Sequence, residues 1–377
     1  MATQRILDFL ATRRPNGPCL VLDLDVVRAN YRAFEHALPQ SRIFYAVKAN
    51  PAPEILRLLA SMGSNFDCAS VAEIEMAMNA GASADRISYG NTIKKERDVA
   101  AAYALGIRLF AIDCVEEAEK IARAAPGSRV FCRVLTDGEG AEWPLSRKFG
   151  CVPDMAVDVL RQSKALGLDA YGVSFHVGSQ QCDLGAWDKA LGDAKMVFEA
   201  LAAEGITLRM VNMGGGFPTR YLKDVPAAEA YGEAIFGALS KHFGNRLPET
   251  IIEPGRGMVG NAGVIKSEVV LISKKSANDN VRWVYLDIGK FGGLAETMDE
   301  AIRYPLTTPR DGDAVEACVI AGPTCDSADV LYEKTPYPLP VTLTIGDEVL
   351  IEGTGAYTTT YSAVAFNGFE PLRSYVI

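Results

Sequence analysis

A chain of 377 residues is too long for one small core, so a barrel-sized domain plus a second domain is the natural division. Its 49% hydrophobic and 23% charged residues suit a soluble globular protein, and a net charge of −9 argues against a nucleic-acid surface. No apolar run reaches membrane-spanning length, the eight cysteines include no C-x-x-C pair, and the three histidines (His36, His176, His242) lack metal-ligand spacing, which together argue against a membrane protein, a disulfide framework and a metal centre.

The N-terminal stretch MATQRILDFLATRRPNG has no long apolar region followed by a small-residue cleavage site, so a cytoplasmic location is expected. The segment CLVLDLD (19–25) can pair with a sheet formed much later in the chain. From Ile43 to Glu253 one pattern then repeats. Short apolar runs recur as IFYAVK (43–48), NFDCA (65–69), RISYG (86–90), RLFAID (108–113), RVFCRV (129–134), AYGVSFHV (170–177), RMVNMG (209–214) and TIIEP (250–254). Alanine-rich amphipathic segments separate most of them. In SVAEIEMAMNAG, Val71, Ile74, Ala77 and Met78 share a helical face and Gly81 supplies a C-terminal stop. Strand–helix alternation implies parallel βαβ units, and eight strands over roughly 210 residues fit a (β/α)₈ barrel.

The long polar loop 133–150 is expected to be a mobile active-site loop. After Gly257 the texture becomes β-rich, in VIKSEVVLISKK (264–275), VRWVYLDIG (281–289), AVEACVIAG (314–322) and VTLTIGDEVLIEG (341–353). These runs predict a second, mainly antiparallel β domain. The expected division is a barrel over 26–260, with residues 1–25 and 261–377 forming the β domain.

Functional groups of a parallel barrel collect at the C-terminal ends of its strands. There the chain places Lys48, Asp67, His176 with Gly178-Ser179, the triplet Gly214-Gly215-Gly216, and Glu253-Pro254-Gly255-Arg256. A lysine ending an apolar strand either reaches solvent or is a desolvated amine with a lowered pKa, able to form a Schiff base with an aldehyde cofactor. Taken singly, each of the others has a structural reading, as a hydrogen-bonded histidine, a tight glycine turn or a surface turn. Taken together they describe one ligand. Backbone N–H groups of the glycine triplet, the Ser179 hydroxyl and the Arg256 guanidinium suit a phosphate. Glu253 can hold a heteroaromatic nitrogen protonated while His176 stacks on its ring. Lysine, phosphate cradle and ring-nitrogen acid together point to pyridoxal 5′-phosphate (PLP). The run Gly255-Arg-Gly257-Met-Val-Gly260 matches a dinucleotide fingerprint, but Asn261-Ala-Gly263 leads into a strand rather than the helix that fingerprint must open.

The motifs FYAVKAN, HVGSQ, GGGFP, EPGR, GPTCDSADVL and GAYT resemble those of the PLP-dependent basic amino-acid decarboxylases with an alanine-racemase-like barrel, the ornithine/lysine decarboxylase branch above all. They run from Lys48 to Phe369 in that family's order. The resemblance implies a homodimer with two active sites at the subunit interface and a small-molecule amino-acid substrate. It makes Lys48 the Schiff-base lysine, His176 the stacking residue, Glu253 the pyridine-nitrogen partner and Asp67 the acid close to the Schiff base. Ser179, Gly214–Gly216, Arg256 and Tyr357 become the phosphate ligands. Cys325 and Asp326 match the pair supplied by the other subunit, Asp299 a second acid for the distal amine, and Phe366 an aromatic beside the substrate. In one departure, Trp143-Pro144 lies where the family's eukaryotic members carry an arginine before K-F-G, and Arg147 is a substitute without an assigned role.

The implied reaction is decarboxylation of L-ornithine to putrescine, with L-lysine as a second substrate, Cys325 returning a proton to Cα. Diaminopimelate decarboxylases share the barrel motifs but typically carry C-E-S where this chain has Cys325-Asp326-Ser327. A carboxynorspermidine decarboxylase and a non-catalytic decarboxylase-like regulator are the other readings.

Overall fold

The computed structural model describes residues 2–143 and 147–377. The chain divides into two compact units, one formed by Arg28–Pro218 and Val225–Met258, the other by the residues up to Val27, Thr219–Asp224 and Val259–Ile377.

In the first unit eight parallel strands close into a barrel: Ser41–Ala46, Asn65–Cys68, Ile87–Tyr89, Leu109–Ile112, Arg129–Arg133, Asp169–Ser174, Met210–Asn212 and Glu249–Ile252. The last pairs with the first in the register Thr250↔Ser41, Ile251↔Arg42 and Ile252↔Ile43. All eight coincide with the apolar runs of the sequence. Strands covered on both faces read as continuous apolar stretches rather than alternating ones, and Ile43, Phe44, Tyr45 and Ala46 are accordingly all buried. Phe44, Leu109, Ala111, Phe131, Tyr171, Met210 and Ile251, drawn from six of the strands, pack into one cluster. Gly172 is required there, because a Cβ would lie 2.2 Å from the Met210 carbonyl oxygen.

The helices carry the expected punctuation. Ser70 caps Val71–Asn79 by accepting from the Glu73 N–H, and Glu73 Oε2 accepts in return from the Ala69 N–H at 2.7 Å. The helix stops at Gly81, with φ of +105°. Its buried face is narrower than expected, since only Ile74 and Ala77 are buried while Val71 and Met78 are half-buried. The loop 133–150 contains a short strand, Ala141–Trp143, antiparallel to Ser179–Gln181. Pro144, and with it part of the expected mobile loop, lies outside the described residues.

The second unit is an eight-stranded, mainly antiparallel sheet. Gly263–Ser273 runs through it, and Cys19–Leu22 pairs antiparallel with it from Cys19↔Lys266 to Leu22↔Gly263, as the early segment's composition suggested. Only four residues of CLVLDLD are strand, for a helix begins at Leu24. Two pairs are parallel, Cys19–Leu22 with Arg373–Val376 and Arg282–Leu286 with Val315–Ala321. Sequence reading overlooked the strand Val330–Pro340, whose Pro336, Pro338 and Pro340 argue against a ladder. It lies at one end of the sheet and pairs only with Val315–Ala321, a position where missing N–H donors are tolerated. Conversely, VTLTIGDEVLIEG is strand only over Glu348–Glu352.

The stretch beginning at Asp299 is not helical, because Asp299 and Glu300 adopt φ of +53° and +61° and end a short 3₁₀ segment, Ala295–Glu300. After Gly255 the chain forms a single helical turn, Arg256–Val259, before the strand at Gly263, so a dinucleotide helix is not built. Among the described residues no helix is long and apolar enough to cross a membrane.

Phe131, 2% exposed within the barrel cluster, tests this packing. Phe131→Ala should lower stability by about 3–5 kcal/mol in the barrel's denaturant transition. A loss below about 1 kcal/mol would show that the cluster does not close around that ring.

Candidate active site

Lys48 lies one turn beyond the first barrel strand, in the 3₁₀ segment Val47–Ala49. Its neighbours Val47 and Ala49 are buried, whereas Lys48 itself is exposed. In the protein alone this side chain is accessible, carried by a 3₁₀ turn rather than by the strand itself. The turn is fixed around it. Tyr45 Oη donates to the Asn50 carbonyl oxygen at 2.8 Å, Asn50 Oδ1 accepts from the Ala52 N–H, and the Ala46 N–H donates to the Pro254 carbonyl oxygen.

Around Lys48 the strand ends assemble two carboxyls, a second cation and an imidazole. Burial raises the Asp67 carboxyl above its usual range, while the Lys48 charge, a 3.0 Å hydrogen bond from Ser88 Oγ and the Arg133 charge oppose that rise. Glu253 is pushed up to about 8, by burial first and the Asp67 charge second, against the Asn212 side chain, Lys48 and Arg133. Asn212 Nδ2 donates to Glu253 Oε1. Burial, then the positive charges of Arg133 and Lys48, hold His176 well below the usual imidazole range. Its Nδ1 accepts from the Gly178 N–H at 3.0 Å, so the neutral ring carries its proton on Nε2.

A second set of donors lies beside this cluster. Arg256, 4% exposed, directs Nε and Nη2 at Ser179 Oγ, each at 3.3 Å. The glycine triplet follows the seventh strand, and each member is demanded by close backbone approach. A Cβ would lie 2.2 Å from the Phe175 carbonyl oxygen at Gly214, 2.6 Å from that of Glu253 at Gly215, and 2.5 Å from that of Gly178 at Gly216. Gly214 N–H already donates to Asn212 Oδ1 at 3.0 Å. The N–H groups of Gly215 and Gly216 donate to no acceptor among the described residues. Two backbone N–H groups, a hydroxyl and a guanidinium are the donor set of a phosphate site. The loop is anchored by Phe217, whose ring lies 5.0 Å from Phe34, 5.4 Å from Trp187 and 5.6 Å from Tyr231. Tyr231 Oη donates to the Gln181 carbonyl oxygen, and the Gln181 N–H donates to that of Gly216.

The remaining expected residues belong to the β unit. Cys325 is exposed, with its N–H held by Asn367 Oδ1 at 2.8 Å. Asp326 Oδ1 caps the Ala328 N–H. Asp299, 86% exposed, pairs with Lys334 at 3.1 Å. Phe366 packs on Phe291 with ring centroids 4.5 Å apart. Tyr357 has φ of +57° in the turn after Gly355, a glycine whose Cβ would collide with the Val259 carbonyl oxygen at 1.9 Å. Arg147, the substitute for the family arginine, lies instead in the barrel unit and is exposed.

Four participants escaped sequence reading. Arg133 ends the fifth strand as a lone cation after an apolar run, the signal that singled out Lys48. Asn212 is a 1% exposed polar residue in an apolar strand. Gly90 admits the Asp67 carboxylate, since a Cβ there would sit 1.8 Å from Asp67 Oδ1. Asp329, 2% exposed, accepts from the N–H groups of Lys290 and Thr324 and from Thr324 Oγ1, and so shapes the loop that carries Cys325.

Comparison with known proteins agrees with this arrangement. Residues 24–260 match the family described as pyridoxal-dependent decarboxylase, pyridoxal binding domain. The chain is 37% identical to a lysine/ornithine decarboxylase of Selenomonas ruminantium, over 97% of this chain and 91% of that one. It is 32% identical to antizyme inhibitor 2 of Xenopus laevis, over 97% of this chain and 82% of that protein. The crystal structure of SrLDC in complex with PLP and cadaverine superposes with a TM-score of 0.89 at 34% identity, covering 100% of this chain and 94% of that one. The chain belongs to the pyridoxal-dependent decarboxylases of the ornithine/lysine decarboxylase family and is a PLP-dependent carboxy-lyase.

Proposed function

We propose that this decarboxylase of basic amino acids converts L-ornithine to putrescine and CO₂ first of all, and accepts L-lysine, which yields cadaverine. The observation that carries the reading is one barrel mouth holding Lys48, Asp67, Arg133, Glu253 and a neutral His176 beside a cradle made by Ser179, Gly215, Gly216 and Arg256.

These residues fit PLP, whose ring, when bound, takes up the electron pair left on Cα as the carboxylate leaves. Lys48 is the residue that would hold the aldehyde end, where its exposed amine can be reached. Arg256, Ser179 and the Gly215 and Gly216 N–H groups would hold the phosphate, with Tyr357 as a further ligand from the β unit. Glu253 would face the ring nitrogen. Its raised pKa means that it keeps a proton when nothing positive lies opposite; facing a basic ring nitrogen it would hand that proton over and remain as the anionic partner. Neutral His176 can stack on the ring without adding a third positive charge to those of Lys48 and Arg133. Cys325 would return the proton to Cα.

We assign the distal amine of the substrate to Asp299 and Asp326, with Phe366 alongside its methylenes. Asp299 already pairs with Lys334 through Oδ1, so a substrate ammonium would join or compete with that exposed ion pair. Cys325 and Asp326 are exposed on their unit, and this supports a homodimer in which each site takes Lys48 from one subunit and Cys325 from the other. A cytoplasmic location fits eight cysteines without a disulfide framework. The likeness to antizyme inhibitor 2 favours a non-catalytic regulator as the second reading. Against it stands the presence of Lys48, Glu253, Arg256 and Cys325.

A CO₂-release assay over ornithine, lysine, arginine, diaminopimelate and carboxynorspermidine decides among these. Ornithine should lead, with lysine behind by no more than roughly 10–200-fold, the limit for one methylene. Fastest turnover of diaminopimelate or carboxynorspermidine would replace the substrate assignment, and no turnover with any of the five would favour the regulator.

The Glu253 assignment has a signature in the cofactor-free protein. A carboxyl raised from 4.5 to about 8 binds a proton in the folded but not the unfolded chain between those values, so stability should fall as pH rises through that window. Glu253→Gln should flatten the slope measured by urea titration at several pH values; an unaltered slope would remove Glu253 as its source.

Subunit sharing is tested by mixing. Lys48→Ala and Cys325→Ala homodimers should each be nearly inactive. Random exchange makes about half the dimers mixed, each with one complete site, so activity should return to roughly a quarter of the unaltered enzyme. If a tag proves exchange and no activity returns, both residues serve the same subunit's site.

A further inference from the structure

Cys132 and Cys151 form a sulfur pair that the decarboxylation chemistry leaves unused. Cys132 lies on the fifth barrel strand and is 0% exposed, and Cys151 follows the 134–150 segment at 5% exposure. Their Sγ atoms are 3.6 Å apart. The backbone enforces this approach from both sides. Val134 and Cys151 form a parallel bridge, the Cys151 N–H donates to the Arg133 carbonyl oxygen at 3.1 Å, and the Leu135 N–H donates to that of Cys151 at 2.9 Å. Gly150, one residue earlier, donates its N–H to Asp113 Oδ2 at 2.9 Å, which seats the incoming chain.

We propose that Cys132 and Cys151 are an oxidisable pair, converted by a hydroperoxide into an intrachain disulfide beside Arg133. The Cys151 thiolate attacks the peroxide oxygen and breaks the O–O bond, giving a sulfenic acid, while the departing hydroxide (or alkoxide, from an organic peroxide) takes up the proton released when Cys151 ionised and leaves as water or an alcohol. The Cys132 thiolate then attacks the Cys151 sulfur, forming the S–S bond while the sulfenic hydroxyl leaves and takes up a proton as water. The pair thus loses two protons and two electrons, and the peroxide is reduced. Cys151 is the better first nucleophile, since the hydrogen bond with Cys132 lowers its thiol and raises that of Cys132. The bond would tie together the two ends of the segment that carries the strand Ala141–Trp143.

Activity alone cannot report this bond, because Cys325 is exposed and is itself open to the oxidant. The holoenzyme is instead treated with hydrogen peroxide, denatured, alkylated and digested without reduction. The expected result is a cross-linked peptide pair containing Cys132 and Cys151, lighter by two hydrogens than its separate parts and released by dithiothreitol. Two of the eight thiols are then protected from alkylation in the native sequence and regained on reduction. In Cys151→Ser and, separately, in Cys132→Ser the cross-link and this reversible protection should vanish. The proposal is overturned if Cys132 and Cys151 are both recovered alkylated and unlinked at a dose that has consumed the exposed Cys182 and Cys325, or if either is found bonded to a different cysteine.

Discussion

The chemistry of this protein depends on charge balance in the mouth of its barrel. Asp67 and Glu253 are carboxyls in a setting that disfavours their ionised forms, and Lys48 and Arg133 supply the compensating positive charge. Isolated ions in such a place lose several kcal/mol of solvation each, so the cluster holds together only as a set. Asp67, Glu253 and the adjacent His176 are each also tied to a neutral neighbour: Asp67 to Ser88, Glu253 to Asn212, His176 to the Gly178 N–H. The outcome is a carboxyl poised near neutrality next to an imidazole that stays uncharged, the pair of states that a protonated heteroaromatic ring can exploit.

The glycine triplet is governed by a different constraint, the closeness of backbones. Glycines 214, 215 and 216 lie against the carbonyl oxygens of Phe175, Glu253 and Gly178, and no side chain fits at any of the three. This packing also links the triplet to the Lys48 turn. The Glu253 N–H donates to the Gly214 carbonyl oxygen at 2.8 Å, and the Pro254 carbonyl oxygen accepts from Ala46, two residues before Lys48. The glycine triplet, Glu253 and the lysine turn are therefore consecutive links of one hydrogen-bonded chain across the ends of the seventh, eighth and first strands. Phe217, wedged among Phe34, Trp187 and Tyr231, fixes that chain to the surrounding helices.

In the β unit a single buried acid performs the comparable task. Asp329 gathers donors from Lys290 and Thr324, and both Gly289 and Gly322 must lack side chains to admit it, since a Cβ would approach it to 2.1 and 2.3 Å. Cys325 and Asp326 project from the loop thus formed. Asn367, in the left-handed region at φ of +51°, adds a bond to the Cys325 backbone from the segment that carries Phe366.

The amino-acid pattern by itself determined the eight barrel strands, the β-rich second half and the strand-end positions of Lys48, Asp67, His176, Ser179, Glu253 and Arg256. Parallel strands buried on both faces must be apolar along their whole length, so the polar residues that end them stand out locally. Tertiary structure alone decided which of those polar groups meet and in what state. Arg133 and Asn212 gained their importance from strand neighbours far away in the chain, the Val330–Pro340 strand was permitted by its place at the sheet edge, and the Gly214 N–H was taken by Asn212 rather than left for a ligand. Lys48 proved exposed because a 3₁₀ turn, not a strand, carries it. Hydrophobic periodicity is a local property that a sequence displays directly. Exposure, protonation and hydrogen-bond partners depend on closing the barrel and the sheet, which brings residues separated by scores of positions within a few ångströms of one another.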